Sequence, residues 1–210
     1  MTQLGLPLAF PPAPGDDDFL VTPSNAQAFH QLERWAIWPV MTAILVGPRK
    51  SGRSLLARIF AARSHGTIVD DADLRPEKEL FHAWNDAQAA HRPQIFVANA
   101  APPEWRAGIP DLRSRLAASP IVTIGPPDDM LMQALLERHF LRRGLDARPD
   151  LIQWLVARLE RSFIAIERAV DVLDQDVLER RKRLSIPRAR GTLAAAGIID
   201  LPPAATDEES

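Results

Sequence analysis

The chain has 210 residues, 46% of them hydrophobic and 25% charged, with a formal net charge of -2. That is the balance of one soluble domain, or of one domain with a small satellite, and it lacks the clustered basic surface that a direct high-affinity grip on DNA needs. The absence of cysteine excludes disulfides and thiolate metal sites; no apolar run approaches the ~18 residues of a membrane span, and no basic-then-apolar start marks a signal peptide, so a cytoplasmic location is expected.

Residues 1–18 read as a tether. The apolar peptide QLGLPLAF is followed by PPAPGDDD, which is proline-rich and acidic and cannot pack a core. Globular patterning begins near Thr22, with Asn25 as the expected cap of a helix over residues 26–37. TAILVG is a buried strand, PRKSGRS a loop, and LLARIFAARS a helix. TIV then forms a strand ending in acids, EKELFHAWNDAQAA an amphipathic helix, and PQIFVANA another buried strand. PDLRSRLAAS is a short helix and PIVTIGP a further strand. Strands alternating with helices predict an α/β core over residues 19–126, with a mainly parallel sheet covered on both faces. Residues 127–196 contain only helical patterns and form a small all-α subdomain, and residues 197–210 read as an acidic tail.

GPRKSGRS, comprising Gly47, Pro48, Arg49, Lys50, Ser51, Gly52, Arg53 and Ser54, has the spacing of a phosphate-binding loop between strand and helix, with Arg53 in place of the usual lysine. Backbone N–H groups and a helix N-terminus in such a loop face a diphosphate. Gly47 and Gly52 permit the turn, and Ser54 is placed to put its hydroxyl on Mg²⁺. Arg53 keeps the positive charge without the compact ammonium, and Lys50 lies inside the loop, where it cannot replace it. Asp70 and Asp71 sit at the carboxyl end of the next strand, where open α/β sheets bind ligands. Asp70 is the expected metal-side carboxylate and Asp71 the expected water-orienting acid. The alternatives are a strand–turn–helix that uses Gly and Ser only for turning and a solvated acidic turn. His30, His65, His82, His91 and His139 lack ligand-like spacing and carry no metal assignment. The five tryptophans fall on helical or flanking segments and are expected in packing. The basic run Glu179 to Arg183 reads as a solvated helix end.

The later segments resemble, in order, the Hda-type relatives within the DnaA branch of AAA+ proteins. ANAAPP, Ala98 to Pro103, is similar to the stretch after the sensor-1 strand. PDLRSRL is similar to the helix that carries the arginine finger, which falls on Arg115. Arg142 to Leu145 resembles the turn near the start of the lid, and Lys182 to Pro187 its end. The first peptide, with Gln3, Leu4, Leu6, Pro7 and Leu8, resembles the segment by which Hda docks on the β sliding clamp, through apolar side chains in a groove and a glutamine at its rim. The chain departs from the family in a missing strand and helix between Ser54 and Asp70, which in the usual AAA+ order is an edge strand. It departs also in Ala100 at the polar sensor-1 position and in Ile164 where the lid supplies the sensor-2 arginine, with Arg161 and Arg168 nearby.

The resemblance implies a three-layer AAA+ core with a helical lid. It also implies a clamp-bound negative regulator of replication initiation that promotes ATP hydrolysis by DnaA, with Arg115 stabilising charge across the interface. ADP, with or without Mg²⁺ at Ser54 and Asp70, is the expected structural ligand, and the altered loop and sensors argue against efficient hydrolysis by this chain alone. The rival reading is a non-catalytic clamp adaptor that needs neither nucleotide nor DnaA. Weak DNA contact through the assembled complex and homo-oligomerisation are left open.

Overall fold

The computed structural model describes residues 19–180 and 183–200. Four strands, β1 (Thr42–Val46), β2 (Thr67–Val69), β3 (Gln94–Val97) and β4 (Ile121–Thr123), form one sheet in the order β2-β3-β1-β4. All three pairings are parallel. β1 and β3 occupy the centre and are buried along their whole length, which is what their nearly unbroken apolar sequences require. β2 lies at the edge beyond which a further strand would pair, so the short interval between phosphate loop and acids removes an edge and leaves the sheet continuous.

Alternation along the strands divides the core into two layers. Ala43, Leu45, Ile95 and Val97 point to one face, against Leu32 of α1 (Pro23–Glu33) and Leu56, Ile59 and Phe60 of α2 (Arg53–Ser64). Ile44, Val46 and Phe96 point to the other, against Leu80 of α3 (Glu77–Ala89) and Leu112 and Leu116 of α4 (Pro110–Ala118). The tryptophans of the core join these layers, with Trp35 and Trp38 on the first and Trp84 and Trp105 on the second.

The first helix starts earlier than its apolar period suggests. Thr22 is the N-cap and Asn25 the third helical residue, so Asn25 is not the cap. Its side-chain oxygen reaches back to accept from Thr22 N at 2.8 Å, and its amide donates to Leu20 O at 2.8 Å. The reciprocal arrangement is that of a capping box with Asn in the place usually taken by Glu or Gln. The helix closes at Glu33, and residues 35–37 tighten into a 3₁₀ turn.

The second unit is the helical subdomain, α5 (Asp129–Arg142), α6 (Pro149–Val156), α7 (Phe163–Arg180) and α8 (Ile186–Ala195). It has its own core, built from Met132, Leu136, Phe140, Leu155, Ile166 and Leu173 with Leu193 of α8, and Trp154 packs on it. Asp128 joins it to the first turn of α1. One carboxylate oxygen caps α5 through Leu131 N at 2.8 Å, and the other accepts from Ser24 N at 3.0 Å. No helix among the described residues is long and apolar enough to cross a membrane.

Gly66 is where β2 approaches β3 most tightly. A Cβ there would stand 2.5 Å from the carbonyl oxygen of Pro93, the same oxygen that accepts from Thr67 N at 2.9 Å. Gly66→Ala is therefore expected to push the edge strand away and destabilise the protein by about 1–3 kcal/mol. The urea midpoint would fall, and an unchanged midpoint would contradict the close approach.

Candidate functional site: the phosphate loop and the α3–α4 face

The register of β1 against β3 brings the ends of both strands together. Leu45 pairs with Val97, so the loop after β1 and the segment after β3 emerge side by side. Gly47 follows directly. A Cβ on it would lie 2.9 Å from Ile124 O, so the loop must enter here as glycine. Lys50 has φ 67 and Gly52 φ 86; both are left-handed, and the lysine takes a conformation that glycine adopts without strain. Ser51 N donates to Pro48 O at 3.2 Å, and α2 starts at Arg53. Its first-turn N–H groups have no intrahelical acceptor, which makes this helix end attractive to an anion. Ser51 is buried, and its Oγ has no hydrogen-bond partner.

Two of the loop's three cations, Lys50 and Arg53, are engaged by the protein itself, and Arg49 is exposed. The Arg53 guanidinium donates to Ala98 O and, at 3.1 Å, to Asn99 Oδ1. Asn99 in turn donates its backbone N to Asp73 Oδ2 at 3.1 Å and its side-chain amide to both Asp73 oxygens. Arg53, Asn99 and Asp73 thus link the start of α2, the end of β3 and the 3₁₀ turn after β2. Lys50 Nζ lies 3.1 Å from Glu167 Oε1 of α7, a contact between the loop and the helical subdomain. Both partners are substantially solvent-exposed, so the pair contributes at most about 1 kcal/mol.

The two acids expected at the strand end occupy one turn. Asp70 Oδ1 accepts from Asp71 N at 3.2 Å, and Asp70 O accepts from Arg75 Nε at 3.4 Å. Asp71 is left-handed, with φ 50, and exposed. Ser54 lies half-buried in the first turn of α2. The acid that reaches the neighbourhood of Arg53 is Asp73, through Asn99, and sequence spacing does not single it out. Ile164 is exposed on α7. Arg161 pairs with Asp129 at 2.9 Å and Arg168 donates to Ala196 O at 3.3 Å, so both arginines near the sensor-2 position are used within the subdomain, and the charged group it turns toward the loop is acidic.

Arg115 lies on the other face of the core. Its guanidinium stacks over Phe81, 4.3 Å from the ring centroid, and stands 5.2 Å from that of Trp84. Its Nε donates to Asn85 Oδ1 at 3.0 Å. Arg113 is turned away and donates to Ala107 O at 3.1 Å, as two residues' separation on a helix requires. The start of α4 is held by α3. Glu77 Oε1 accepts from Gly108 N at 2.6 Å and Oε2 from Ile109 N at 2.7 Å. These two donors, with a smaller contribution from Arg113, hold the Glu77 carboxyl below its ordinary range against a small desolvation in the opposite direction.

Residues 128–193 match the family described as Hda, lid domain; this is the helical subdomain, α5 to α8. Over the structure as a whole the chain is similar to domain III of the replication initiation protein DnaA from Thermotoga maritima. The TM-score is 0.72 at 13% identity, covering 90% of this chain and 98% of that one. It is similar also to AMPPCP-bound DnaA from Aquifex aeolicus, with a TM-score of 0.58 at 14% identity over 86% of this chain and 71% of the other. The Thermotoga maritima RuvB Holliday junction branch migration motor matches with a TM-score of 0.62 at 13% identity, covering 86% and 71%. The chain shares the fold of these proteins, a parallel α/β core followed by a helical subdomain. Residues 128–193 are similar to an Hda lid domain.

The lowered pKa of Glu77 has a consequence for stability. Stabilisation from a carboxyl whose folded pKa is depressed is present above its unfolded value and lost as pH falls through the folded one; here that window lies below about 4.5. Glu77→Gln should lower the urea midpoint at pH 7 and differ progressively less from the parent as the pH drops below this value. A difference that stays constant into acid would show that the charge is not what holds the loop.

Proposed function

We propose that this protein is a negative regulator of replication initiation. It docks on the sliding clamp through Gln3, Leu4, Leu6, Pro7 and Leu8 and promotes ATP hydrolysis by DnaA through Arg115. The observation that carries the reading is an Hda-like lid joined to a phosphate loop in which Arg53 and Lys50 are already engaged. Arg53 is spent on Ala98 and Asn99, and Lys50 on Glu167, so neither is poised between outer phosphates. A chain of this kind acts on another protein's nucleotide more readily than on its own. Arg115 lies on an outer helix of the core, part-buried and aimed at none of its own loop residues, which suits a group presented to a neighbour. The clamp-binding peptide lies outside the described residues, and its role rests on its sequence.

The loop fits ADP in its backbone. Gly47, Gly52 and the first turn of α2 offer an anion cradle, and the unpartnered Ser51 Oγ supplies a further polar atom there. Ser54 and Asp70 would hold Mg²⁺, which would neutralise phosphate charge when bound, and Asp71 would stand beside them. The adaptor reading, without nucleotide, is favoured by the closed Arg53–Asn99–Asp73 network, which ties up the cation that stands in the lysine's place. Isothermal titration separates the two. A saturable ADP site weakened by Arg53→Ala supports a nucleotide-loaded regulator, and no binding at millimolar ADP supports the adaptor.

Two outcomes test the central reading. Replacing Gln3, Leu6 and Leu8 by Ala should abolish clamp association and leave the thermal melt unchanged; clamp affinity equal to the parent's would remove the docking role. Arg115→Ala should leave folding and clamp binding intact and reduce stimulation of DnaA–ATP hydrolysis by 10³-fold or more, on the order of what a trans arginine supplies, whereas Arg113→Ala should do much less. Single-turnover hydrolysis on clamp-loaded DNA measures both, and full stimulation by the Arg115→Ala protein would exclude the trans-finger role.

A further inference from the structure

One stripe of α3 holds α4 at both ends. Glu77, Phe81, Trp84 and Asn85 follow one another at helical spacing of three and four, with Asn85 beside Trp84, and all face α4. At the start of α4 the Glu77 carboxylate takes two successive backbone donors, one on each oxygen. Pro110 occupies the first helical turn and brings no N–H, so the donors at Gly108 and Ile109 are the polar handles of this helix start. Two bonds to one planar carboxylate fix the orientation of the chain ahead of the helix as well as its distance, and the negative charge suits a helix N-terminus. At the far end Trp84 Nε1 donates to Ser119 Oγ at 3.2 Å, and Ser119 Oγ donates to Arg115 O at 2.9 Å. Between these two fixings Phe81, Trp84 and Asn85 receive the Arg115 guanidinium.

We propose that Glu77 is a positioning residue for Arg115: by clamping the start of α4 it sets the rotation and height of the helix that carries the guanidinium. The proposal rests on the reading that Arg115 acts on a partner's nucleotide. Arg115 lies about 7.5 Å along the axis from Pro110 at 1.5 Å per residue, so a small tilt or rotation at the helix start is carried to the guanidinium. Displacements near 1 Å cost up to about 10²-fold in rates that depend on alignment. Glu77 contacts backbone on its own chain and faces the Arg113 cation. Its loss acts on where Arg115 sits and leaves the docking surface for the partner in place.

The experiment uses the full chain with clamp-loaded DNA and DnaA–ATP in single turnover, titrating the chain to obtain a maximal rate and a half-saturating concentration. Glu77→Ala is expected to lower the maximal rate about tenfold and to leave half-saturation within about twofold. Glu77→Gln keeps one carbonyl acceptor in the same volume and should lie between; it also serves if the alanine variant folds poorly, with near-UV circular dichroism and clamp binding as the checks on folding. In an Arg115→Ala background neither substitution should lower the rate further. Parent-like rates for both Glu77 variants, alongside an inactive Arg115→Ala, would overturn the positioning role and leave the finger standing. A raised half-saturation at unchanged maximal rate, or a further loss in the Arg115→Ala background, would overturn it as well, by showing that Glu77 acts apart from the finger. Parent-like stimulation by Arg115→Ala would remove the underlying reading, and the proposal with it.

Discussion

The parallel pairing of β1 with β3 is the constraint on which the site depends. Because Leu45 stands opposite Val97, the two strands end level, and the chains leaving them must share one small volume. The loop from Gly47 and the segment Ala98–Asn99 are neighbours for that reason and no other. Every contact that defines the state of the phosphate loop is downstream of this register. Arg53 reaches Ala98 and Asn99 only because α2 starts directly above the end of β3, and Asn99 reaches Asp73 only because β2 pairs with β3 on the other side. A parallel sheet gathers strand ends on one edge; here three successive strand ends contribute an arginine, an asparagine and an aspartate to one chain of hydrogen bonds.

That chain changes what the loop offers. In shape it is a phosphate cradle, with glycine or left-handed backbone where the turn needs it and a helix end behind. Two of its cations are already engaged, Arg53 by Ala98 O and Asn99 Oδ1 and Lys50 by Glu167. A diphosphate entering the cradle would meet backbone donors, whereas the outer phosphates would have to compete with a carbonyl and an amide oxygen for Arg53 and with the Glu167 carboxylate for Lys50. Hydrogen bonds from a charged donor are stronger than neutral ones. The balance favours a loop that holds its geometry over one that moves charge during a reaction. The lid supports the same conclusion, because the charged side chain it extends to the loop is acidic.

Much of this architecture was legible in the sequence. TAILV and QIFV are too apolar to be anything except central strands, the loop between TAILV and LLARIF has phosphate-loop spacing, and the switch to unbroken helical patterns after residue 127 marks the lid. What was hidden is contact between distant residues. Asn99 is the one polar side chain in FVANA, yet the resemblance placed the polar sensor one residue later, where Ala100 stands, and so drew attention away from it. Asp73 falls after the expected acidic pair and gains its role only from a 3₁₀ turn that periodicity does not show. Lys50 and Glu167 meet through the docking of two units, which no local pattern encodes. Asn25 was misassigned because the T-x-x-N spacing departs from the usual box with Glu or Gln, and because the apolar period starts later than the helix does.

The same distinction separates the two arginines of α4. Sequence sees PDLRSRL and can state only that Arg113 and Arg115 diverge around the helix. The structure gives each a different setting: Arg113 against the carbonyl of Ala107, Arg115 between two aromatic rings and an amide. A guanidinium over an aromatic face is stabilised by the ring quadrupole while its edge stays open to hydrogen bonding. The cradle therefore holds the Arg115 charge in place without neutralising it; at Arg53 no ring among the described residues is involved, and the Asp73 carboxylate is reached only through Asn99. Arg53 and Arg115 each donate to one amide oxygen and one backbone carbonyl, and they differ in that Arg115 also lies against two aromatic rings on an outer helix. It is this placement, on the opposite face of the sheet from Arg53 and backed by rings, that supports the proposed role of Arg115 toward a partner.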